Sequence, residues 1–342
     1  MSRIYLLFCL LILSPPLSYS AEFVWIEAEQ PDSTNFTFKS GDWGVSDLLS
    51  DQALILTDQS ELASFQEEYI RLRYDFTIQA DAMYTLWNRI GFEKVRPAFE
   101  YRLDQGPWKR ILNTKYSVDL YVPRPWNEIA WLELGRNRLQ PGRHRLEIRI
   151  ARQQMNDKGK PRRMLYVSDA FCLINRAWRP FGKVKPGKFQ PSSEDLQAEQ
   201  HRFTLAQAPP GSRSVLELTG LWQYARYDEF GEIRDRTGPA EYPDQDTQLY
   251  WQSIHVPGDR NKERVQDDHC HRFLYKTHVD IPAVLKGQTF QMLFTESNAF
   301  TTLYVNGRLA AHNTISSTGW TADITEYILP GQVNEILVVQ TS

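Results

Sequence analysis

The feature that most constrains this chain is the shortness of its apolar runs. From Phe23 onward they alternate with polar residues and stop at turn signals, and no long amphipathic helix interrupts them. Residues 23–29, 69–76, 82–87, 99–103 and 145–150 each follow the period of two that puts one face of a strand in a core and the other toward water. Turn clusters such as Asp104-Gln105-Gly106-Pro107 and Gln140-Pro141-Gly142 close them. Such a chain is expected to be all-β, built as sandwiches of packed sheets.

At 342 residues the chain is better divided into two domains than one. Residues 21–175 read as a first β-sandwich. Residues 176–212 change character. Pro180, Pro186, Pro191, Pro209 and Pro210 punctuate a polar stretch carrying Lys183, Lys185 and Lys188, which predicts a linker, and Ser192-Ser193-Glu194-Asp195 is placed to open one short helix. Residues 213–342 read as a second sandwich, with strand signals at 214–218, 220–224, 249–256, 273–281, 301–305 and 335–339 and turns at Asn306-Gly307 and Pro330-Gly331.

Residues 1–20 have the form of a signal peptide. Arg3 gives the positive start, residues 4–13 the apolar stretch, and Ser18-Tyr19-Ser20 a small-residue cleavage site before Ala21. The stretch is too short for a stop-transfer helix, so a secreted or periplasmic protein with no membrane association after processing is expected. Two cysteines then remain, Cys172 and Cys270, one per domain. They read as free, buried thiols, with a bridge between the domains as the alternative.

Composition narrows the function classes. Net charge is −3 and no basic surface suggests nucleic acid, while the run 158–163 (Lys-Gly-Lys-Pro-Arg-Arg) reads as a solvated hairpin loop. Aromatic residues make up 13% of the chain, including ten Trp. Such rings serve either as platforms for the C–H faces of sugars or as sandwich core. The run Asp267-Asp268-His269-Cys270-His271 lacks the further cysteines a structural zinc needs and reads as a polar loop. Asn35-Phe36-Thr37 is a glycosylation sequon.

Five short motifs occur in order in the second domain: Gly220-Leu221-Trp222; Trp251, Ile254 and Val256-Pro257-Gly258; Tyr275 with Ile281-Pro282; Val305-Asn306-Gly307; and Asp323-Ile324-Thr325. Together with Gly331-Gln332-Val333-Asn334 before a final apolar strand, they resemble the N-terminal sugar-binding jelly roll of family 2 glycoside hydrolases, the β-galactosidase-, β-glucuronidase- and β-mannosidase-like enzymes. The resemblance implies a role in carbohydrate metabolism, and implies that catalytic carboxylates would sit on a TIM barrel, on this or another chain. A barrel takes about 250 residues, and those after Gly220 are already committed to strands, so no catalytic residue is assigned and the chain by itself is expected to be inactive. The family often has His-x-Gly-Gly after the hairpin. Here His312 fits and the glycine pair does not. By resemblance His312, Asn313 and Trp320 are candidates for the rim of a sugar pocket, loop packing being the alternative.

The first domain resembles galactose-binding-like carbohydrate modules through Ile26-Glu27-Ala28-Glu29 near its start and Val167-Ser168-Asp169-Ala170-Phe171 near its end. In such modules the first-strand glutamates and the last aspartate hold a structural calcium. The resemblance therefore implies Glu27, Glu29 and Asp169 as ligands, exposed strand carboxylates being the alternative; no cofactor is required otherwise. Candidate sugar contacts here are Trp87, Arg89, Trp126 and Trp131, with Asn127 as a hydroxyl partner. Trp126 follows the stiff Pro123-Arg124-Pro125, whereas Trp131 alternates with Ile129 as a core residue would. The expected partner is a glycan or polysaccharide. A stand-alone carbohydrate-binding protein and a structural adhesion module remain open beside the glycosidase reading.

Overall fold

The computed structural model describes residues 22–56, 61–93, 96–155, 158–206, 213–227, 237–243, 248–264, 267 and 270–342. The expected signal peptide, and Asp268 and His269, lie outside them. The described chain is nearly all β, and its only long helical segment is Ser193–Gln200. No described helix is long and apolar enough to cross a membrane.

The first sandwich packs a seven-stranded sheet on a five-stranded one. The larger runs Lys39–Gly41, Leu54–Leu56, Val167–Ile174, Ala82–Phe92, Asn127–Leu139, Val118–Arg124, with Phe23–Glu27 also paired to Val167–Ile174. The smaller runs Ser33–Thr34, Tyr69–Ile78, Gly142–Ala151, Phe99–Leu103, Lys109–Ile111. The smaller sheet keeps strict alternation: Ile70, Leu72, Tyr74, Phe76 and Ile78 point inward with Leu146, Ile148 and Ile150. Burying each such side chain contributes about 1.5–3 kcal/mol.

The larger sheet behaves differently. Val167–Ile174 is buried at every position, and Ala82–Phe92 from Leu86 onward. Its inner side (Leu86, Ile90, Phe171, Leu173) joins the main core. Its outer side (Trp87, Trp131, Ala170, Cys172, Ile174) is roofed by Trp178 from the connecting segment. Antiparallel sheets expose one face by default, so this second covering is a tertiary decision.

The second sandwich repeats that plan. Its main sheet runs Gln252–Val256, Gly220–Arg226, Arg272–Ile281, Gln332–Thr341, Phe300–Val305, Arg308–Asn313, faced by the pair Gln291–Phe294 and Trp320–Asp323. Phe203–Thr204, from the expected linker, adds to it in parallel beside Val279 and Asp280. The expected helix is present, and Ser192 and Asp195 close it with a reciprocal capping box.

The motif residues of this domain prove to be its fasteners. Asn306 (φ 52°) and Gly307 (φ 74°) form the left-handed turn that twists with its strands. The fully buried Asn334 donates to the Leu329 and Gln332 carbonyls and accepts from Leu329 N–H at 2.7 Å and Asn306 Nδ2 at 2.8 Å. Asp323 accepts from Thr325 N–H, whose hydroxyl in turn accepts from Phe290 N–H. Some of these bonds close local turns, and two, Asn306–Asn334 and Phe290–Thr325, tie separate segments together. Cys172 and Cys270 are both buried and form no disulfide.

Candidate functional site

The edge strand Val118–Arg124 returns into Asn127–Leu139 through a two-residue turn, Pro125-Trp126. Proline presets the first turn position. The second lies at φ 78°, in the region where glycine is the usual choice. A tryptophan there is held at a conformational cost, with its side chain 59% exposed. Arg124, paired across the turn with the half-buried Asn127, reaches back to donate to the Gly44 carbonyl at 3.1 Å. That contact ties the hairpin to the loop carrying Trp43. Gly91 lets Trp43 lie close against the sheet, since a Cβ at Gly91 would meet its ring at 2.8 Å. Trp126, Asn127 and Arg124 thus make a ring-and-polar edge at one end of the first sandwich, open to solvent.

The other expected sugar contacts of this domain do not join it. Trp87 is 4% exposed and Trp131 0%, and both pack edge-on around Trp178, at 6.0 and 5.2 Å between ring centroids. Trp131 also donates its indole N–H to the Gly182 carbonyl at 2.9 Å. Both rings are core. For Trp131 that is what its alternation with Ile129 indicated; for Trp87 it corrects the sugar-contact expectation, because the outer face it occupies is roofed.

Arg89 is corrected for a related reason. It is 3% exposed and donates to Asp169 at 2.7 Å and to the Leu48 carbonyl at 2.9 Å. A register shift between Ser168 and Ala170 leaves Asp169 as the extra residue of a bulge. Bulges re-aim side chains, and this one turns a carboxylate inward onto the guanidinium. Burial above all raises the Asp169 carboxyl above its ordinary range, against the pull of Arg89.

Those bonds bear on the calcium expectation. One Asp169 oxygen takes Arg89 and the other accepts from Ser50 N–H at 2.9 Å, while Glu27 takes Lys185 at 3.1 Å. Among the described residues no three His, Cys, Asp or Glu side chains converge as a metal site. Asp169 serves Arg89 in this structure, and Glu27 keeps one buried oxygen without a hydrogen-bond partner. Glu29 remains as a carboxyl whose two oxygens are buried without a hydrogen-bond partner. Burial first, then the neighbouring Glu27, Asp169 and Asp51, push it up to about 7.

In the second sandwich, His312 uses both ring nitrogens, one with the Thr302 hydroxyl at 3.0 Å and one with the Thr237 carbonyl at 2.7 Å. Asn313 closes its own turn onto Ile315. Trp320 stacks flat on Phe294 at 4.3 Å. These three residues make the local contacts that loop packing would give. The sequon residue Asn35 is equally engaged, donating to Glu67 and to the Tyr69 carbonyl and accepting from Arg71 N–H.

Sequence reading missed the junction of the two sandwiches. Asp119, at φ 57°, pairs with Arg226 of the second domain and accepts from Gly182 N–H at 2.7 Å. Arg226 also meets the buried Asp267 at 3.4 Å. A cleft bounded by Asp119, Arg226, Phe181 and Tyr250 has about 20 Å³ available to a water-sized body, room for water and not for a pyranose. Nothing in the spacing of residues 119, 226 and 267 signals the triad.

No family model matches the chain, and no curated protein matches it. Among solved structures, it is similar to the β-glucuronidase of Faecalibacterium prausnitzii, at 24% identity over 36% of this chain and 20% of that one, with a TM-score of 0.29. The β-glucuronidase of Lactobacillus rhamnosus matches at 25% identity over 36% and 20%, TM-score 0.29. A glycosyl hydrolase family 2 member from Bacteroides cellulosilyticus matches at 22% over 36% and 17%, TM-score 0.27. The aligned part spans about a fifth of these structures' length. A likeness of that extent carries neither activity nor substrate across.

Proposed function

We propose that this chain is an exported carbohydrate-binding protein whose first sandwich grips a glycan at the Trp126 edge. The single observation that carries the reading is Trp126 itself: a large ring, 59% exposed, kept at a turn position that favours glycine. Conformational cost at an exposed ring is consistent with selection for contact. Asn127 and Arg124 supply hydroxyl-directed polar groups beside an apolar platform, the combination sugar sites use.

The five ordered motifs of the second sandwich support the resemblance to the sugar-binding domain of family 2 glycosidases. In that reading the second sandwich is a positioning domain for a catalytic barrel on the same or another chain. Binding, and not bond cleavage, is what the described residues are proposed to do. Export rests on the form of residues 1–20.

Native affinity gels cast with galactomannan, xylan, dextran or polygalacturonate test the reading. Retardation in at least one gel is expected, with a loss in Trp126→Ala. Migration unaffected by every polysaccharide would remove carbohydrate binding from consideration.

A further inference from the structure

The outward face of the five-stranded sheet is a grid of charged side chains, read directly from its register. One cross-strand row is Arg71, Arg149, Glu100, Arg110. The next is Arg73, Glu147, Arg102. Two shorter rows follow, Asp75 opposite Arg145 and Thr77 opposite Arg143. Seven arginines therefore face three carboxylates on a chain whose net charge is −3. Every cation in the grid is arginine, whose planar fork matches carboxylate and sulfate oxygens two at a time.

The arrangement exceeds what a solvated, self-neutralising face requires. Arg149 takes Glu100, Arg102 takes Glu147 at 2.6 Å, and Asp75 is shared by Arg73 and Arg145. Arg71, directly opposite Arg149, takes Glu67 at 2.7 Å. Among the described residues neither Arg110 nor Arg143 meets an acidic partner. Trp108, from the loop leading into the edge strand Lys109–Ile111, lies over this grid with Arg102 and Arg149 at 4.6 and 4.3 Å from its ring. An aromatic platform is thus embedded in a field of guanidinium groups.

We infer that this face is a second glycan-binding surface, specific for polysaccharides bearing carboxylate or sulfate groups, with Trp108 under a sugar ring and the arginine rows on its anions. The inference rests on the proposed carbohydrate-binding role and adds the charge class of the ligand. A polysaccharide is favoured over nucleic acid because the chain as a whole is acidic, with a net charge of −3. Strand spacing of about 4.8 Å and a same-face repeat of about 6.8 Å give a regular anion lattice suited to a linear repeating polymer.

The test compares full-length protein in native affinity gels with dextran, dextran sulfate and polygalacturonate at low and high salt, with a homopolymeric single-stranded DNA as competitor. Expected is retardation by dextran sulfate, by polygalacturonate or by both, largely abolished at 1 M salt, where charges are screened beyond about 3 Å. Arg110→Ala/Arg143→Ala should weaken it about tenfold, equal to about 1.4 kcal/mol, and Trp108→Ala further, with unchanged melting temperatures for the arginine variant. Arg110→Lys/Arg143→Lys keeps the charge and loses the fork, and should recover only part of the affinity. Retardation by dextran alone, equal binding of the arginine variant, or displacement by DNA at lower concentration than by polyanionic sugar would each overturn the inference. Retardation by no polysaccharide at all would sink the carbohydrate reading itself, a separate result.

Discussion

The two sheets of the first sandwich began from similar alternating sequence and ended with opposite uses. The five-stranded sheet buries Leu72, Tyr74, Leu146 and Ile148 on one side and turns arginines outward on the other. The seven-stranded sheet buries both sides, because Trp178 and Gly182 from the connecting segment close over Trp87 and Trp131. Polar and aromatic residues on an outer face are therefore available to a ligand in the first case and are core in the second. What separates them is the path of the connecting segment, which lies far along the chain from Trp87 and Trp131.

The largest expected effect breaks the covered face. Asp169→Ala strands Arg89 as a buried, uncompensated charge, and should cost about 3–5 kcal/mol. Trp131→Ala should cost a similar amount, about 3–5 kcal/mol, as a large ring leaves a packed cluster. Urea unfolding reads both. A cost under 1 kcal/mol for either would mean the seven-stranded sheet is open on its outer side and the contrast between the sheets fails.

Trp126 supplies the next effect, with opposite sign. Trp126→Gly relieves a left-handed conformation that costs an ordinary residue roughly 1–2 kcal/mol, so the variant should melt higher than the parent while losing retardation in polysaccharide gels. A lower melting temperature would show that Trp126 is there for packing. Smaller still is Arg143→Ala on the open sheet, expected within about 0.5 kcal/mol of the parent. A larger loss would make that face structural and not a binding surface.

The last test sharpens the comparison through pH. The Glu29 carboxyl is raised from 4.5 to about 7, so between those values the folded chain binds more protons than the unfolded one. Stability from this group is present below pH 4.5 and falls as pH rises through 7. Melting between pH 5 and 8 should show that decline, and Glu29→Gln should flatten it. An unchanged slope in the variant would assign the decline to other groups.

Much of the fold was legible because its signals are local. Asn306-Gly307 fixes a turn by backbone preference alone, and Ser192 with Asp195 caps a helix within four residues. The ordered motifs of the second domain were readable for the same reason: Asn334 and Asp323 fasten neighbouring turns. They say which fold forms and little about what it touches. The candidate site was legible at Trp126 and Asn127, which follow a proline-stiffened segment, and not at Arg124. His312 and Trp320 looked like rim residues until Thr302 and Phe294 were seen to occupy them.

By itself the sequence determined an all-β chain and the strands' inward faces, since period-two burial and turn chemistry act over a few residues. The tertiary structure alone decided which outward faces stay outward. Arg89 and Arg149 are both outward-pointing arginines by pattern. One is buried against Asp169 because a bulge and a roofing segment meet there, and the other, paired with Glu100 and stacked on the Trp108 ring, keeps 25% of its side chain exposed. Long-range packing sets the local dielectric, and that setting separates a core ion pair from a binding surface.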